Sequence, residues 1–280
     1  MNKIDSNEFR LMRDYIEQHC GISLGQDKQY LVETRLASLV QESGCRSFSE
    51  FYQKTRADGT NRLRDRIIDA MTTNETLWFR DRSPYLVLEK QLFRHFHDQI
   101  KSGRQSKVRI WSAASSTGQE PYSIAMSAHE YARVNPGFNP SWVEIIATDI
   151  SPTVLLHAQN GRYDQIAMAR GLDEQIRNRY FQEDGKMWVI KDEIKRMVAF
   201  RKLNLQENFT GLGHVDIVFC RNVLIYFSEG FKRDVLSKIA QRLRPEGFLF
   251  LGASESMISY SSEYAMLRSD SALYYQVKAG

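Results

Sequence analysis

The stretch Trp111-Ser-Ala-Ala-Ser-Ser-Thr-Gly-Gln-Glu-Pro-Tyr-Ser-Ile-Ala125 decides the fold of this chain. The apolar run Val108–Trp111 predicts a strand, and Pro121, a residue favoured in a first helical turn, predicts the start of a helix. A strand, a loop of small residues and a helix form the first half of a nucleotide-binding α/β unit. Glu120 is placed to meet the hydroxyls or the charged tail of an adenosine-type cofactor. The loop lacks GxGxxG and GK[ST], so an ordinary strand-to-helix turn remains the alternative from this stretch alone.

A second acidic residue strengthens the cofactor interpretation. Val143-Glu-Ile-Ile-Ala-Thr-Asp149-Ile150 is rich in β-branched residues and predicts a strand that ends in a carboxylate. In doubly wound folds the second strand commonly ends in an acidic residue that binds the ribose hydroxyls. Asp149 could instead cap the helix that begins near Pro152, but Ser151 suits that position better. We therefore favour ribose binding by Asp149.

The composition is that of a cytoplasmic globular enzyme. The chain has 280 residues, of which 42% are hydrophobic and 26% charged. It contains no apolar run of about 18 residues that could span a membrane, and its polar start predicts no signal peptide. The three cysteines are too widely spaced for a disulfide framework or a zinc site, so we expect no metal. The net charge of +4 suits an acidic protein partner better than nucleic acid.

Residues 1–72 predict a small all-α domain. Apolar side chains recur at helical spacing, as in Phe9, Met12 and Ile16, in Val32, Leu36, Leu39 and Val40, and in Leu63, Ile67, Ile68 and Met71. Ser47-Phe-Ser-Glu50 has the form of a capping box that opens a further helix. Basic residues of this domain form either a solvated face or a docking surface for an acidic helix; they are Lys28, Arg35, Arg62, Arg64 and Arg66.

Residues 73–106 are predicted to link the domains and to contact the cofactor. In Thr72-Thr-Asn74-Glu-Thr76-Leu-Trp-Phe79-Arg80, polar residues are crowded against an aromatic pair. Arg80 stays charged at any working pH and can bind a carboxylate through two hydrogen bonds. In the alternative interpretation Asn74 caps a helix and the aromatic pair lies in the core, and the two interpretations are compatible.

Residues 107–280 continue the α/β alternation, with an insert at about 162–200. Within the insert, the runs Met187–Ile190 and Met197–Phe200 predict a β-hairpin. Further predicted elements are a strand at His214–Cys220, a helix at about 229–243, a turn at Arg244–Gly247 and two closing strands between Tyr264 and Val277.

Polar residues fall at the carboxyl ends of the predicted strands, where open α/β sheets bind their ligands. These residues are Gly118 and Glu120, Asp149, Asn204, and Arg221 with Asn222. Their convergence predicts one cofactor site.

The chain resembles the chemotaxis receptor methyltransferases of the CheR type over nearly its whole length. The resemblance rests on Asn74-x-Thr-x-x-Phe-Arg80, the Trp111–Ala125 stretch, Ala147-Thr-Asp149-Ile, Phe219-Cys-Arg-Asn-Val-Leu-Ile-Tyr-Phe227 and Leu243-Arg-Pro-Glu-Gly-Phe-Leu-Phe-Leu-Gly-Ala-Ser-Glu255. It implies a Rossmann-like, doubly wound methyltransferase sheet with a small all-α N-terminal domain and an inserted β-subdomain. The implied activity is transfer of a methyl group from S-adenosyl-L-methionine to receptor glutamates, with S-adenosyl-L-homocysteine as product.

The resemblance also implies which residues form the site. The cofactor contacts would be Asn74, Thr76, Arg80, Glu120, Asp149, Asn204, Leu205, Arg221 and Asn222. Arg80 and Tyr226 would line the methyl-transfer centre. Many relatives have Gly-Glu-Glu where this chain has Gly118-Gln-Glu120, but only the second acidic position carries the implied contact.

Three other functions share features of this sequence. A nicotinamide dehydrogenase would have the same fold and acidic ribose contact, but it should show the three-glycine loop. A methyltransferase acting on a small molecule or RNA, and a non-enzymatic S-adenosylmethionine sensor, are the remaining alternatives. Methylation of purified receptor compared with RNA would distinguish them.

The expected partners are the cytoplasmic helical bundles of chemoreceptors, and the enzyme is expected to be a monomer. Lys28 and Arg35 are seven residues apart and can share a helix face, whereas Arg62, Arg64 and Arg66 cannot. Relatives carry further basic residues just after the position of Arg35, so docking here should be weaker or differently tuned.

Some family members first bind a peptide at the receptor's C-terminus through the β-subdomain, by strand addition. The stretch between Phe181 and Met187 is shorter than the glycine-rich loop of the peptide-binding members. We therefore predict that this enzyme needs no C-terminal pentapeptide tether.

Overall fold

The N-terminal domain is helical, as predicted. A computed structural model describes residues 3–257, 260–269 and 272–278. The α-helices of the domain are α1 Ser6–Cys20, α2 Gln29–Glu42, α3 Phe48–Ala57 and α4 Arg62–Met71. The apolar residues at helical spacing pack into one core between these helices.

The capping box at Ser47 forms only in part. The Ser47 side chain accepts a hydrogen bond from the Glu50 backbone N–H, as predicted for the start of α3. The Glu50 carboxylate accepts from the backbone N–H of Arg46 at 2.8 Å, one residue before the expected donor. The helix start is therefore correct, but the reciprocal bond is displaced.

The connecting segment has no helix at Asn74. Residues 72–77 are not helical, so the interpretation of Asn74 as a helix cap is wrong. The next helices are α5 Ser83–Val87 and α6 Phe93–Lys101, joined by a π-helical turn at Leu88–Leu92. Trp78 is fully buried between Tyr163 and Phe181, so its predicted place in the core is confirmed.

The rest of the chain alternates strands and helices. The strands are β1 Val108–Ala113, β2 Val143–Asp149, β3 Arg162–Asp164, β4 Phe181–Asp184, β5 Met187–Ile190, β6 Val198–Lys202, β7 Val215–Cys220, β8 Leu243–Phe250, β9 Tyr264–Arg268 and β10 Leu273–Val277. The helices are α7 Gln119–Val134, α8 Pro152–Asn160, α9 Gln165–Ala169, α10 Glu174–Tyr180, α11 Asp192–Lys195 and α12 Glu229–Ala240.

The described strands form a seven-stranded sheet in the order β6-β2-β1-β7-β8-β10-β9. Strands β6, β2, β1, β7 and β8 run parallel to one another, whereas β10 is antiparallel to both of its neighbours, β8 and β9. One face packs against α6, α7 and the small sheet, and the other face packs against α12. The predicted doubly wound α/β fold is therefore confirmed, including the closing pair of strands.

The predicted hairpin in the insert is wrong. Strand β5 pairs on one side with β3 and on the other with β4, so it has no free edge for the run Met197–Phe200. Instead α11 follows β5, with Ile194 buried in the core, and β6 then joins the main sheet parallel to β2. The small sheet is present in the order β3-β5-β4, but the second predicted strand belongs to the main sheet.

Several element boundaries also differ from the prediction. Helix α7 begins two residues before Pro121, because Gly118 adopts a left-handed backbone (φ 95°) that turns the chain into the helix. Helix α12 ends at Ala240. The expected turn at Arg244–Gly247 is an irregular part of β8, because Leu243 already pairs with Val215.

Candidate functional site

All of the predicted cofactor residues, together with Tyr226, line one cleft at the carboxyl edge of the sheet. The cleft contains about 950 Å³ of space free of protein atoms, a figure that includes solvent at its open mouth. The predicted residues that line it are Asn74, Thr76, Arg80, Glu120, Asp149, Asn204, Leu205, Arg221, Asn222 and Tyr226. The structure therefore brings them together, and their individual cofactor contacts stay predictions.

The loop after β1 has an unusual backbone. Ala114 and Ser116 adopt left-handed conformations at φ 54° and 50°, which non-glycine residues rarely do. At Gly118 a Cβ atom would come within 2.9 Å of the Ala158 side chain, so glycine is required there. Ser115 lines the cleft, and its buried hydroxyl has no hydrogen-bond partner in the described structure. Backbone strain and an unsatisfied polar group are both expected where a loop is shaped to a polar ligand.

Asp149 holds this loop in place. Its two carboxylate oxygens accept hydrogen bonds from the backbone N–H groups of Ser116 at 2.8 Å and Ser151 at 3.0 Å. Ser151 also caps α8, as predicted, by accepting from the Val154 N–H at 3.2 Å. Burial raises the pKa of Asp149. Each oxygen of an ionised carboxylate has a further lone pair, so Asp149 can still accept bonds from ligand hydroxyls.

A buried ion pair crosses the floor of the site. Arg221 Nη1 lies 2.9 Å from Glu120 Oε2, and the Arg221 and Glu120 side chains are only 1% and 12% exposed. The other Glu120 oxygen accepts from the Ser112 hydroxyl at 2.8 Å. Burial raises the pKa of Glu120, and the guanidinium of Arg221 opposes that shift. The pair links the end of β7 to the first turn of α7.

Arg221 also secures a strained turn that carries Arg80. Its Nη2 atom donates to the Arg80 carbonyl at 2.8 Å and to Asp81 Oδ2 at 2.7 Å. Phe79, Asp81 and Arg82 all have left-handed backbones, with φ between 47° and 65°. Such conformations persist only where surrounding contacts hold them. Arg221 therefore fixes the segment from which the Arg80 side chain reaches the cleft.

Arg80 and Tyr226 are the predicted reactive-centre residues. Among the described residues, the Arg80 guanidinium makes one hydrogen bond, from Nη1 to the Glu75 carbonyl at 3.3 Å, which leaves most of its donors available. Tyr226 ends a short 3₁₀ turn after β7, and its carbonyl accepts from the Ser23 N–H at 2.8 Å. Both side chains border the cleft that Glu120 and Asp149 line, so a substrate can reach them together.

The helical domain forms one wall of the cleft, which the sequence did not reveal. Cys20 and Ile22, at the end of α1, line the cleft. Ile22 also forms an antiparallel bridge with Phe227. Ile22 is apolar and the Cys20 thiol donates to the Ile16 carbonyl within α1, so neither side chain marks a site in the sequence. Their contribution follows only from the way the two domains pack.

Asn204 connects the same two domains. Its Nδ2 atom donates to the His19 carbonyl at 2.8 Å, and its Oδ1 atom accepts from the Gln206 N–H at 3.0 Å. Gln206 in turn donates to the Glu17 carbonyl at 3.0 Å. Part of the hydrogen-bonding capacity of Asn204 is thus committed to the end of α1.

The predicted docking residues already have intramolecular partners. Lys28 forms an ion pair with Asp27 at 3.1 Å. Arg35 donates to the Met71 carbonyl at 2.6 Å and to the Thr73 hydroxyl at 3.0 Å. Arg35 therefore ties α2 to the connecting segment, and Lys28 is the more available charge.

Within residues 3–257, 260–269 and 272–278, no group of His, Cys, Asp and Glu side chains is arranged to hold a metal ion. No helix in those same ranges has the length and apolar character needed to cross a membrane.

Comparison with known proteins gives matches across both domains. The family described as CheR methyltransferase, SAM binding domain, matches residues 74–273, and the CheR methyltransferase all-alpha domain matches residues 7–72. The chain is 44% identical over 272 residues to Chemotaxis protein methyltransferase Cher2 of Pseudomonas putida, covering 97% of this chain and 98% of that protein. Chemotaxis protein methyltransferase 1 of Pseudomonas aeruginosa gives the same identity and coverage. The Chemotaxis protein methyltransferase of Vibrio parahaemolyticus is 44% identical over 277 residues, 98% of each chain.

Proposed function

Because this chain belongs to the CheR family of chemotaxis methyltransferases, we propose that it methylates glutamate side chains of chemoreceptors, forming glutamyl methyl esters. The family assignment makes it an S-adenosylmethionine-dependent methyltransferase. The observation that carries the glutamate proposal is the single cleft in which Arg80 and Tyr226 border the residues suited to hold the cofactor. An available arginine beside the methyl donor suits a carboxylate substrate.

The residues of the cleft fit S-adenosylmethionine. Asp149 retains acceptor capacity for the ribose hydroxyls, and the buried Glu120–Arg221 pair offers both charges to the polar parts of the molecule. The unpartnered Ser115 hydroxyl gives a further polar contact in the same cleft. When bound, the cofactor supplies a methyl group already activated by the sulfonium.

The protein has little acid–base chemistry to perform. A glutamate side chain has a pKa of about 4.3, so at neutral pH the substrate carboxylate is already ionised and needs no strong base. Catalysis then consists of holding the carboxylate in line with the methyl group and excluding water. Arg80 orients the incoming carboxylate, because full ion pairing would weaken it as a nucleophile. Tyr226, on the turn after β7, is the second residue of the proposed methyl-transfer centre.

A radiolabelled methyl-transfer assay tests the proposal. Purified receptor cytoplasmic domain should acquire label that is released by mild base, as expected for an ester, and RNA should acquire none. Stable label in the receptor, or transfer to RNA, would contradict glutamate esterification. Cofactor binding without any transfer would favour the sensor alternative.

We expect Asp149→Ala to weaken S-adenosylmethionine binding by roughly 1–3 kcal/mol, the range for a hydrogen bond to a charged group. The variant loses the acceptor for the ribose and the anchor of Ser116. Because burial raises the pKa of Asp149, wild-type affinity should start to fall at a higher pH than an exposed aspartate would give, and the variant should lose this component. Calorimetric titration of the folded variant measures both effects. Unchanged affinity would remove the ribose assignment.

Lys28 ends a 3₁₀ turn just before α2, so it does not share a helix face with Arg35 as the sequence predicted. We propose that an acidic receptor helix docks at the start of α2 through Lys28, with Arg35 in a mixed role. Lys28→Glu should slow receptor methylation, and the effect should shrink as salt rises, because exposed charges are screened. Arg35→Glu should also slow it, but part of its effect should persist at high salt because the contacts to Met71 and Thr73 are lost. Initial rates at several salt concentrations separate the two. A salt-independent loss in Lys28→Glu would exclude charge docking.

We also propose that the enzyme acts without a receptor-tail tether. Strands β4 and β5 are joined directly by the two-residue turn Gly185-Lys186, which offers few backbone donors for a peptide. Removing the C-terminal pentapeptide of a cognate receptor should therefore leave the methylation rate nearly unchanged. Micromolar binding of an isolated tail peptide to the enzyme would overturn this prediction.

A further inference from the structure

The carboxylate of Glu255, a residue outside the predicted site, accepts hydrogen bonds from the backbone of the loop that carries Tyr226. Glu255 Oε2 accepts hydrogen bonds from the N–H groups of Asn222 at 2.8 Å and Gly252 at 2.7 Å. Glu255 Oε1 accepts from the N–H of Ile225 at 3.3 Å. The same side chain thus holds the loop at its beginning and immediately before Tyr226.

The loop needs this support because part of its backbone has a conformation that non-glycine residues rarely adopt. Asn222 has a left-handed conformation at φ 59°, which asparagine adopts more readily than most residues but which surrounding contacts must still hold. The chain just after β8 also lies very close to the loop. A Cβ atom at Gly252 would lie 2.6 Å from Asn222 Nδ2 and 2.8 Å from Glu255 Oε2. Any larger residue at position 252 would therefore clash with both Asn222 and Glu255, so the contact between Glu255 and the loop depends on this glycine.

An ionised carboxylate suits this position better than a neutral side chain. It accepts through both oxygens and offers no proton, so it can receive all three N–H groups without a donor facing a donor. Hydrogen bonds to a charged acceptor are also stronger than neutral ones. The bonds reach the main chain of the loop and leave the side chains of Asn222 and Tyr226 directed to the cleft that they line.

We propose that Glu255 is a positioning residue for methyl transfer, which sets the place of Tyr226 through Ile225 and that of Asn222 through its backbone. The part concerning Tyr226 rests on the proposed function. The part concerning Asn222 rests on cofactor binding alone. Glu255 acts from outside the reacting groups, so its effect on turnover depends on the hydroxyl that it positions.

Two substitutions separate these parts. In Glu255→Gln the carbonyl oxygen can keep the Asn222 and Gly252 bonds, but the amide NH₂ then faces the Ile225 N–H. We expect turnover to fall about tenfold, on the scale of one lost bond to a charged acceptor, with S-adenosylhomocysteine affinity nearly unchanged. Glu255→Ala removes all three acceptor contacts, so both turnover and S-adenosylhomocysteine affinity should fall. Glu263→Gln is the matched control, because that glutamate accepts from the Ser237 and Ser261 hydroxyls instead.

The decisive measurement is a double-mutant cycle on the full-length enzyme. In the Tyr226→Phe background, Glu255→Gln should cost far less than tenfold in turnover, since the positioned hydroxyl is already absent. Equal fold losses in the two backgrounds, or wild-type turnover in Glu255→Gln, would overturn the positioning role of Glu255 toward Tyr226. If wild-type enzyme fails to methylate receptor, the proposed function fails, while the affinity of Glu255→Ala for S-adenosylhomocysteine still tests the Asn222 part. Wild-type affinity in that variant, with thermal unfolding as a check of folding, would overturn it.

Discussion

Replacing Arg221 with methionine will destabilise the protein by about 3–5 kcal/mol, the cost of leaving a buried charge without its partner. Glu120 would remain in a site where its side chain is 12% exposed, and the Ser112 hydroxyl would be its one remaining hydrogen-bond partner among the described residues. The strained turn at Asp81 would lose its anchor at the same time. Denaturant unfolding should show the loss of stability, and calorimetry should show loss of cofactor binding.

Two further variants test whether the unpaired charge is the cause. Arg221→Met combined with Glu120→Gln should recover part of the stability, because the charge left in the core is removed as well. Arg233→Met removes an exposed arginine that lies 3.9 Å from Glu229, and it should change stability by less than about 1 kcal/mol. No recovery in the double variant would show that the turn at Asp81, rather than the charge, dominates.

Tyr226→Phe and Arg80→Ala will each lower turnover far more than they lower cofactor affinity. Both side chains line the cleft, and we assign them to the incoming carboxylate rather than to the cofactor, so their contribution should be made mainly in the transition state. We expect losses of roughly 10²-fold, the lower end of what removal of one preorganised polar group costs. Steady-state rates at saturating S-adenosylmethionine, with S-adenosylhomocysteine titrations alongside, give the comparison.

Normal turnover in both variants would remove these residues from the reactive centre. A matched change in turnover and in affinity would assign them to cofactor binding instead. Arg80→Lys is a useful intermediate, since it keeps the charge but loses the planar pair of donors. It should recover only part of the rate if orientation of the carboxylate matters.

Local sequence patterns were enough to predict those helices and strands whose own apolar residues indicate their type and their buried face. The run before Trp111, the β-branched residues before Asp149 and the apolar spacing of the first domain each describe one element and its buried face. Polar residues at the carboxyl ends of strands then fall at one edge of the sheet whatever the details of the loops. This is why the predicted cofactor residues were found in a single cleft.

The errors concern contacts between distant segments. The run Met197–Phe200 has the composition of a hairpin strand, but whether it pairs with β5 or β2 depends on which edges are already occupied. Arg35 looks like a surface charge, yet its partners are 36 and 38 residues away. Glu255 gave no separate signal because its role is to receive backbone N–H groups, which every sequence contains.

The bridge between Ile22 and Phe227 has a consequence for how the molecule unfolds. Matches to known families divide the chain between residues 72 and 74, as though two independent modules had been joined. The end of α1 nevertheless supplies a wall of the cleft and binds the Tyr226 loop through Ser23. A ligand that fills the cleft should therefore stabilise both domains together, because both contribute residues to its binding surface. We therefore expect the cofactor to couple the unfolding of the two domains, although the family matches treat them as separate units.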